Sequence, residues 1–129
     1  MAKSKHEVII PENAHLSEHE LSVIRFLSAI GKTIEFLEPS RIRGQKTPDV
    51  RIDGVVWEIK SPKGTSSRTI ENNFRAALQQ ATHIIFDLRR SRLPEAKALH
   101  EIERQFTLAH KAQRVFVIKK NGRTIDFLR

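Results

Sequence analysis

TPDVRIDGVVWEIKSPKG, residues 47–64, holds two short apolar runs joined by Asp53-Gly54 and studded with charge. Asp-Gly between alternating apolar residues signals a two-residue type I′ turn, in which both central residues take positive φ. With Asp53 and Gly54 in those places, Ile52 faces Val55, Arg51 faces Val56, Val50 faces Trp57 and Asp49 faces Glu58. Alternation then gathers Val50, Ile52, Val55, Trp57 and Ile59 on one side as core, and Asp49, Arg51, Val56, Glu58 and Lys60 on the other. The two carboxylates of this register stand about 5 Å apart at Cβ, with Lys60 diagonal to them at about 7 Å. Like charges directly opposed destabilise a sheet, so the register demands compensation: a bridging divalent cation, a shared proton, or ion pairs to Lys60 and Arg51. The plainer account is a solvated polar face carrying ordinary cross-strand ion pairs.

On either side of this hairpin the chain alternates between the two periodicities. Ser17-Glu18-His19-Glu20 has capping-box spacing, and Leu21, Ile24, Leu27 and Ile30 recur helically up to Gly31, which predicts a helix over 18–30. Residues 33–38 alternate as a strand, and Pro39 to Pro48 reads as a loop rich in Arg, Lys and Gly. After the loop Ser61 to Ser67, the stripe Ile70, Phe74, Ala77 and Ala81 predicts a second helix, and HIIFDL, residues 83–88, a strand. Pro94 suits the first turn of a third helix with stripe Leu99, Ile102, Phe106 and Ala109. RVFVIKK and RTIDFLR around Asn121-Gly122 read as a closing two-residue hairpin. The expected fold is a single α+β domain of order αβββαβαββ, with a mostly antiparallel sheet and helices packed on it. Residues 1–14 form an N-terminal extension to a domain over 15–129.

A chain of 129 residues supports one ordinary domain. It has no cysteine, which excludes disulfides, thiolate metal sites and thiol nucleophiles. No apolar run approaches the roughly 20 residues of a membrane span, and MAKSKHEVII lacks the pattern of a signal peptide, so cytoplasmic residence is expected. The net charge of +8 is unevenly placed: residues 1–40 carry four Lys/Arg against six Asp/Glu, and residues 41–129 carry nineteen against nine. A surface so basic suits a polyanion, nucleic acid above all.

Ser61-Pro62-Lys63-Gly64-Thr65-Ser66-Ser67-Arg68 places cations and hydroxyls directly before a helix start, where free N–H groups favour phosphate. Ser61, Lys63, Thr65, Ser67 and Arg68, with Arg75 further along the polar side of that helix beside Asn72 and Gln79, are therefore candidate substrate contacts, together with Arg51. Asp87 and Arg89 share one parity opposite Ile84, Phe86 and Leu88, either as a structural salt bridge or as catalytic groups. His19 is a candidate general base because imidazole titrates near neutrality, although a lone helical His is more often surface decoration. Aromatic support for base stacking is thin, with Trp57 and seven Phe mostly in core patterns.

Asp49, eight intervening residues, Glu58, one residue and Lys60, with Pro48 ahead of the Asp, resemble the PD-(D/E)XK nuclease pattern, and residues 18–88 follow the αβββαβ order of that core. KTPDVRIDGVVWEIKSPKG, SSRTIENNFRAALQQ, HIIFDLRR and RTIDFL together resemble, over residues 15–129, the C-terminal tRNA nuclease domain of contact-dependent growth inhibition toxins and its stand-alone relatives. Those domains in turn resemble the barnase, EndoU, colicin and RelE group of compact ribonucleases. The resemblance implies tRNA cleavage through the RNA 2′-hydroxyl without a metal, with an immunity protein or a host translation factor as possible protein partners. It also implies action in a target-cell cytoplasm, while Met1 and the lack of an upstream export region suggest a stand-alone form.

In that metal-free version Glu58 or His19 transfers protons, Lys60, Arg75 and Arg89 stabilise charge, and Asp49 and Asp87 orient the cations. In the PD-(D/E)XK version Asp49 and Glu58 hold Mg²⁺, Lys60 handles the attacking water, and DNA becomes a possible substrate. A non-catalytic RNA- or partner-binding module is the third reading.

Overall fold

The computed structural model describes residues 8–10, 17–37 and 48–129. The expected loop over 39–47, the start of the domain at residue 15 and most of the N-terminal extension lie outside the described residues. The described part of that extension contributes a short strand, β1 (Val8–Ile9), which the sequence pattern did not announce. There follow α1 (Glu18–Ala29), β2 (Ile34–Phe36), β3 (Val50–Ile52), β4 (Val55–Lys60), α2 (Ser67–Leu78), β5 (His83–Asp87), α3 (Glu95–Leu108), β6 (Arg114–Ile118) and β7 (Thr124–Leu128). From α1 onward this is the predicted order, and the fold class is α+β. The chain divides into two compact units, Met1–Trp57 and Glu58–Arg129, with the boundary inside β4.

In the first unit, β1 pairs parallel with β2, and β2 and β3 pair antiparallel. The Asp53-Gly54 turn then folds β4 back on β3 with the pairs Ile52↔Val55, Arg51↔Val56 and Val50↔Trp57, as the sequence register requires. Both central residues have positive φ, 48° at Asp53 and 86° at Gly54, which identifies the turn as type I′. Ser17 caps α1 by accepting from the Glu20 N–H at 3.2 Å while the Glu20 carboxylate accepts from the Ser17 N–H, so the capping box is complete. Val23, Ile24 and Leu27 of α1, Ile34 and Phe36 of β2, and Val50, Ile52 and Trp57 of the hairpin are buried.

In the second unit, β4, β5 and β6 pair parallel and β7 returns antiparallel on β6. A parallel pair needs a crossover connection, and α2 and α3 are the crossovers, covering a face built from Ile84, Phe86, Val115 and Val117. Phe74 of α2 stacks on Phe86 with ring centroids 5.9 Å apart. Ile84, Ile85, Phe86 and Asp87 are all buried, as befits a strand of a parallel ladder with both faces covered.

The last hairpin departs from expectation. Asn121 lacks positive φ, so Asn121-Gly122 is not a type I′ pair. The Gly122 N–H donates to the Lys119 carbonyl at 3.0 Å and Gly122 alone takes φ of 82°, giving a four-residue turn before β7. Asn121 instead accepts from the Arg123 N–H at 3.0 Å through its side chain, a local bond that competes with the tighter turn.

A side chain at Gly54 strains a left-handed backbone that no packing contact offsets. Gly54→Val is expected to lower stability by about 1–2 kcal/mol in urea denaturation, whereas Val55→Thr beside it moves the midpoint little.

Candidate active site

In a parallel ladder paired residues share a face. The pairs Glu58↔Ile84, Ile59↔Ile85 and Lys60↔Phe86 therefore place Glu58 and Lys60 on the face that α2 covers. This corrects the expectation that they lie on a polar side turned away from the core: Glu58 is only 3% exposed. A carboxylate so deeply desolvated needs partners. Gln80, just beyond α2, donates its side-chain N–H to Glu58 Oε2 at 2.8 Å, and Lys60 Nζ lies 3.5 Å from the same oxygen. Lys60 keeps about a fifth of its side chain in solvent (21%), so it is the member of the pair that a ligand meets first.

Gln80 is the site residue that sequence reasoning missed. Gln79 is exposed, as expected of the polar side of α2, whereas Gln80, three residues after the buried Ala77, is half-buried. The strand–helix–strand order around β4 was the other available signal, because it implies parallel pairing and two covered faces.

Asp87 lies on the opposite face of β5 from Phe86, and hence from Lys60. It is 1% exposed and receives a bidentate fork from Arg89, Nε to Oδ1 at 2.8 Å and Nη2 to Oδ2 at 2.9 Å, plus the Arg89 N–H at 3.1 Å. That hydrogen bonding raises the Arg89 pKa beyond its ordinary value against the opposing effect of burial. The pair pins the chain where it leaves β5, while the Glu58–Lys60 pair occupies the helix side.

Around the loop after β4, Pro62 is buried and Lys63, Thr65, Ser67 and Arg68 are exposed. Ser66 caps α2, its hydroxyl accepting from the Arg68 N–H at 3.1 Å. A Cβ on Gly64 would sit 2.2 Å from the Thr69 hydroxyl oxygen, so only glycine passes there. Ser61 Oγ is buried without a hydrogen-bond partner among the described residues. Arg68 lines a cleft of about 170 Å³ with Ser67, Glu71, Glu101 and Arg104. Arg75 is paired with Glu71 at 3.0 Å, and Arg104 of α3 with Glu101 at 3.0 Å.

Asp49, Arg51 and His19 belong to the first unit. Asp49 is half-buried ahead of β3, and its carbonyl accepts from the Leu37 N–H at 3.0 Å. Arg51 is one of the ion-pair partners that the register left open for the hairpin carboxylates. It bonds Glu35 at 2.9 Å, its direct cross-strand partner in the β2–β3 ladder. His19 is half-buried on α1. Among the described residues no three His, Asp or Glu side chains converge as a metal site.

The structure thus defines a basic α+β domain with a carboxylate and an ammonium sunk at the end of a parallel strand. Residues 46–124 match the model of the contact-dependent growth inhibition CdiA C-terminal domain, and the chain belongs to that family. It is similar in fold to the CdiA-CT/CdiI toxin and immunity complex from Burkholderia pseudomallei, with a TM-score of 0.64 and 19% identity over 100% of this chain and 98% of that one. No curated protein matches the chain. Among the described residues no helix is long and apolar enough to cross a membrane.

Two outcomes follow from this geometry. Gln80→Leu removes a donor to a buried carboxylate and is expected to cost about 1–3 kcal/mol in thermal denaturation. Adding Glu58→Leu to that variant should cost far less than the sum of the single changes. His83, opposite Arg114 at the start of β5, has its pKa lowered by burial and then by the Arg114 charge. Between its folded pKa and about 6.5, the unfolded chain binds more protons, so stability falls as pH drops through that window. His83→Gln should flatten this slope in denaturation curves taken from pH 7 to 5.

Proposed function

We propose that this chain is a small endoribonuclease of contact-dependent growth inhibition, cleaving an RNA phosphodiester bond, with tRNA as its substrate and Glu58 and Lys60 as its reacting pair. The observation that carries the reading is the buried Glu58 carboxylate with the partly exposed Lys60 ammonium 3.5 Å from Oε2. The membership in the CdiA C-terminal domain family and the excess of cations after residue 40 support it.

Lys60 meets the scissile phosphate and gives up its place beside Glu58 Oε2 as it does so, while Gln80 keeps its hydrogen bond to that oxygen. Glu58 then takes the proton of the RNA 2′-hydroxyl, whose oxygen forms a new bond to phosphorus while the bond to the 5′-oxygen breaks. The charge that builds on the phosphorane oxygens falls to Lys60. The leaving 5′-oxygen takes a proton from solvent water, Glu58 gives the proton it gained back to solvent, and the products are a 2′,3′-cyclic phosphate and a 5′-hydroxyl. An immunity protein is the expected partner of such a domain, since the similar solved structure is a toxin and immunity complex.

The test is incubation of purified protein with total tRNA and with duplex DNA, each with EDTA or with Mg²⁺. RNA cleavage that survives EDTA is expected, and Glu58→Gln and Lys60→Ala should each slow it by at least about 100-fold while leaving the circular dichroism spectrum intact. Cleavage retained in both variants sinks the assignment. Cleavage found only with Mg²⁺ transfers it to a metal-assisted reaction, in which Glu58 would supply a carboxylate ligand and the cation would polarise the phosphate.

A further inference from the structure

The pairs Lys60↔Phe86, Phe86↔Val117 and Asp87↔Ile118 show that β4, β5 and β6 end side by side. In sheets with parallel strands, ligands bind outside these carboxyl ends, where the connecting loops leave the sheet. Here each such loop is basic. Lys63 follows β4, Arg89, Arg90 and Arg92 follow β5, and Lys119, Lys120 and Arg123 surround the turn after β6.

The carboxylates at this edge are already engaged. Glu58 is held by Gln80 and Lys60, and Asp87 by Arg89. Glu95, at the start of α3, accepts from the Lys120 N–H at 2.8 Å and lies 4.0 Å from Lys119 Nζ. Lys63, Arg90, Arg92 and Arg123 are exposed cations of the same loops. On α2 Arg75 is tied to Glu71, and on α3 Arg104 is tied to Glu101.

We propose that the carboxyl edge of β4, β5 and β6 is the track that holds the RNA backbone beside the reacting pair, with Arg90 and Arg92 after β5 and Arg123 after β6 as phosphate contacts. The track runs from Lys60 across three strand spacings to β7, roughly 14 Å at the usual interstrand distance. It rests on the ribonuclease reading for the identity of the polyanion, and it assigns the binding energy to residues outside the Glu58–Lys60 pair. The α2 surface, where Glu71 takes up Arg75, is left as a flank.

The experiment measures binding of unfractionated tRNA to the Glu58→Gln protein across a salt series. Replacing Arg90, Arg92 and Arg123 together by Ala is expected to weaken binding at least about tenfold near 0.1 M salt. It should also flatten the slope of log K against log salt by about 2, the counterion release of three single-strand phosphate contacts. The Arg68→Ala, Arg75→Ala double variant should change that slope by less than about 0.7, the share of one contact. An unchanged slope in the triple variant, or its loss in the α2 variant instead, overturns the track, as does Glu58→Gln protein that binds no tRNA. Cleavage by the unsubstituted protein is scored separately: active protein with an unaltered triple-variant slope refutes the track alone, whereas inactive protein refutes the ribonuclease reading.

Discussion

The parallel pairing of Glu58, Ile59 and Lys60 with β5 is the constraint on which the site depends. A parallel neighbour requires a crossover, the crossover is α2, and a helix laid on that face takes whatever the strand presents there out of water. At two positions β4 presents Glu58 and Lys60 rather than apolar side chains. Burying a carboxylate is costly unless it is hydrogen-bonded and paired, and Gln80 and Lys60 meet that demand from the helix end and from the strand itself. A pair held in this way is preorganised, because its geometry comes from the packing of β4, β5 and α2 and not from a mobile loop.

Charge is sorted in the same economical manner across the second unit. Asp87 and Arg89 form a fork that closes the end of β5 on the face away from Glu58. Arg114 and Asp126 form another across β6 and β7, with Nε to Oδ1 at 2.9 Å. On α2 and α3 the glutamates Glu71 and Glu101 take up Arg75 and Arg104. The exposed cations Lys63, Arg90, Arg92 and Arg123 lie in the loops where the parallel strands end.

Much of this order was legible in the residues. The Asp53-Gly54 turn, its register, the capping box at Ser17 and Glu20, and the apolar stripes of α1, α2 and α3 all depend on contacts within a few positions, so local pattern suffices to read them. The Asn121-Gly122 turn shows the limit of the method. The same dipeptide logic fails there because the Asn side chain bonds a nearby N–H and only Gly122 crosses to positive φ. Strand β1 escaped for a different reason: two residues carry no period, and only pairing with β2 makes them a strand.

Sequence alone established that Glu58 and Lys60 share one side of β4, since alternation along a strand is a property of the backbone. It could not say which side would be covered, because that follows from β5 lying beside β4 and from α2 lying over both. The hairpin by itself made the Glu58 side look solvated. Tertiary packing reversed this by laying a helix on it, brought Gln80 to the carboxylate from 22 residues away, and assigned Arg51 to Glu35 instead. Partners so distant along the chain leave no periodic trace, whereas the turn that sets their register is written in two adjacent residues.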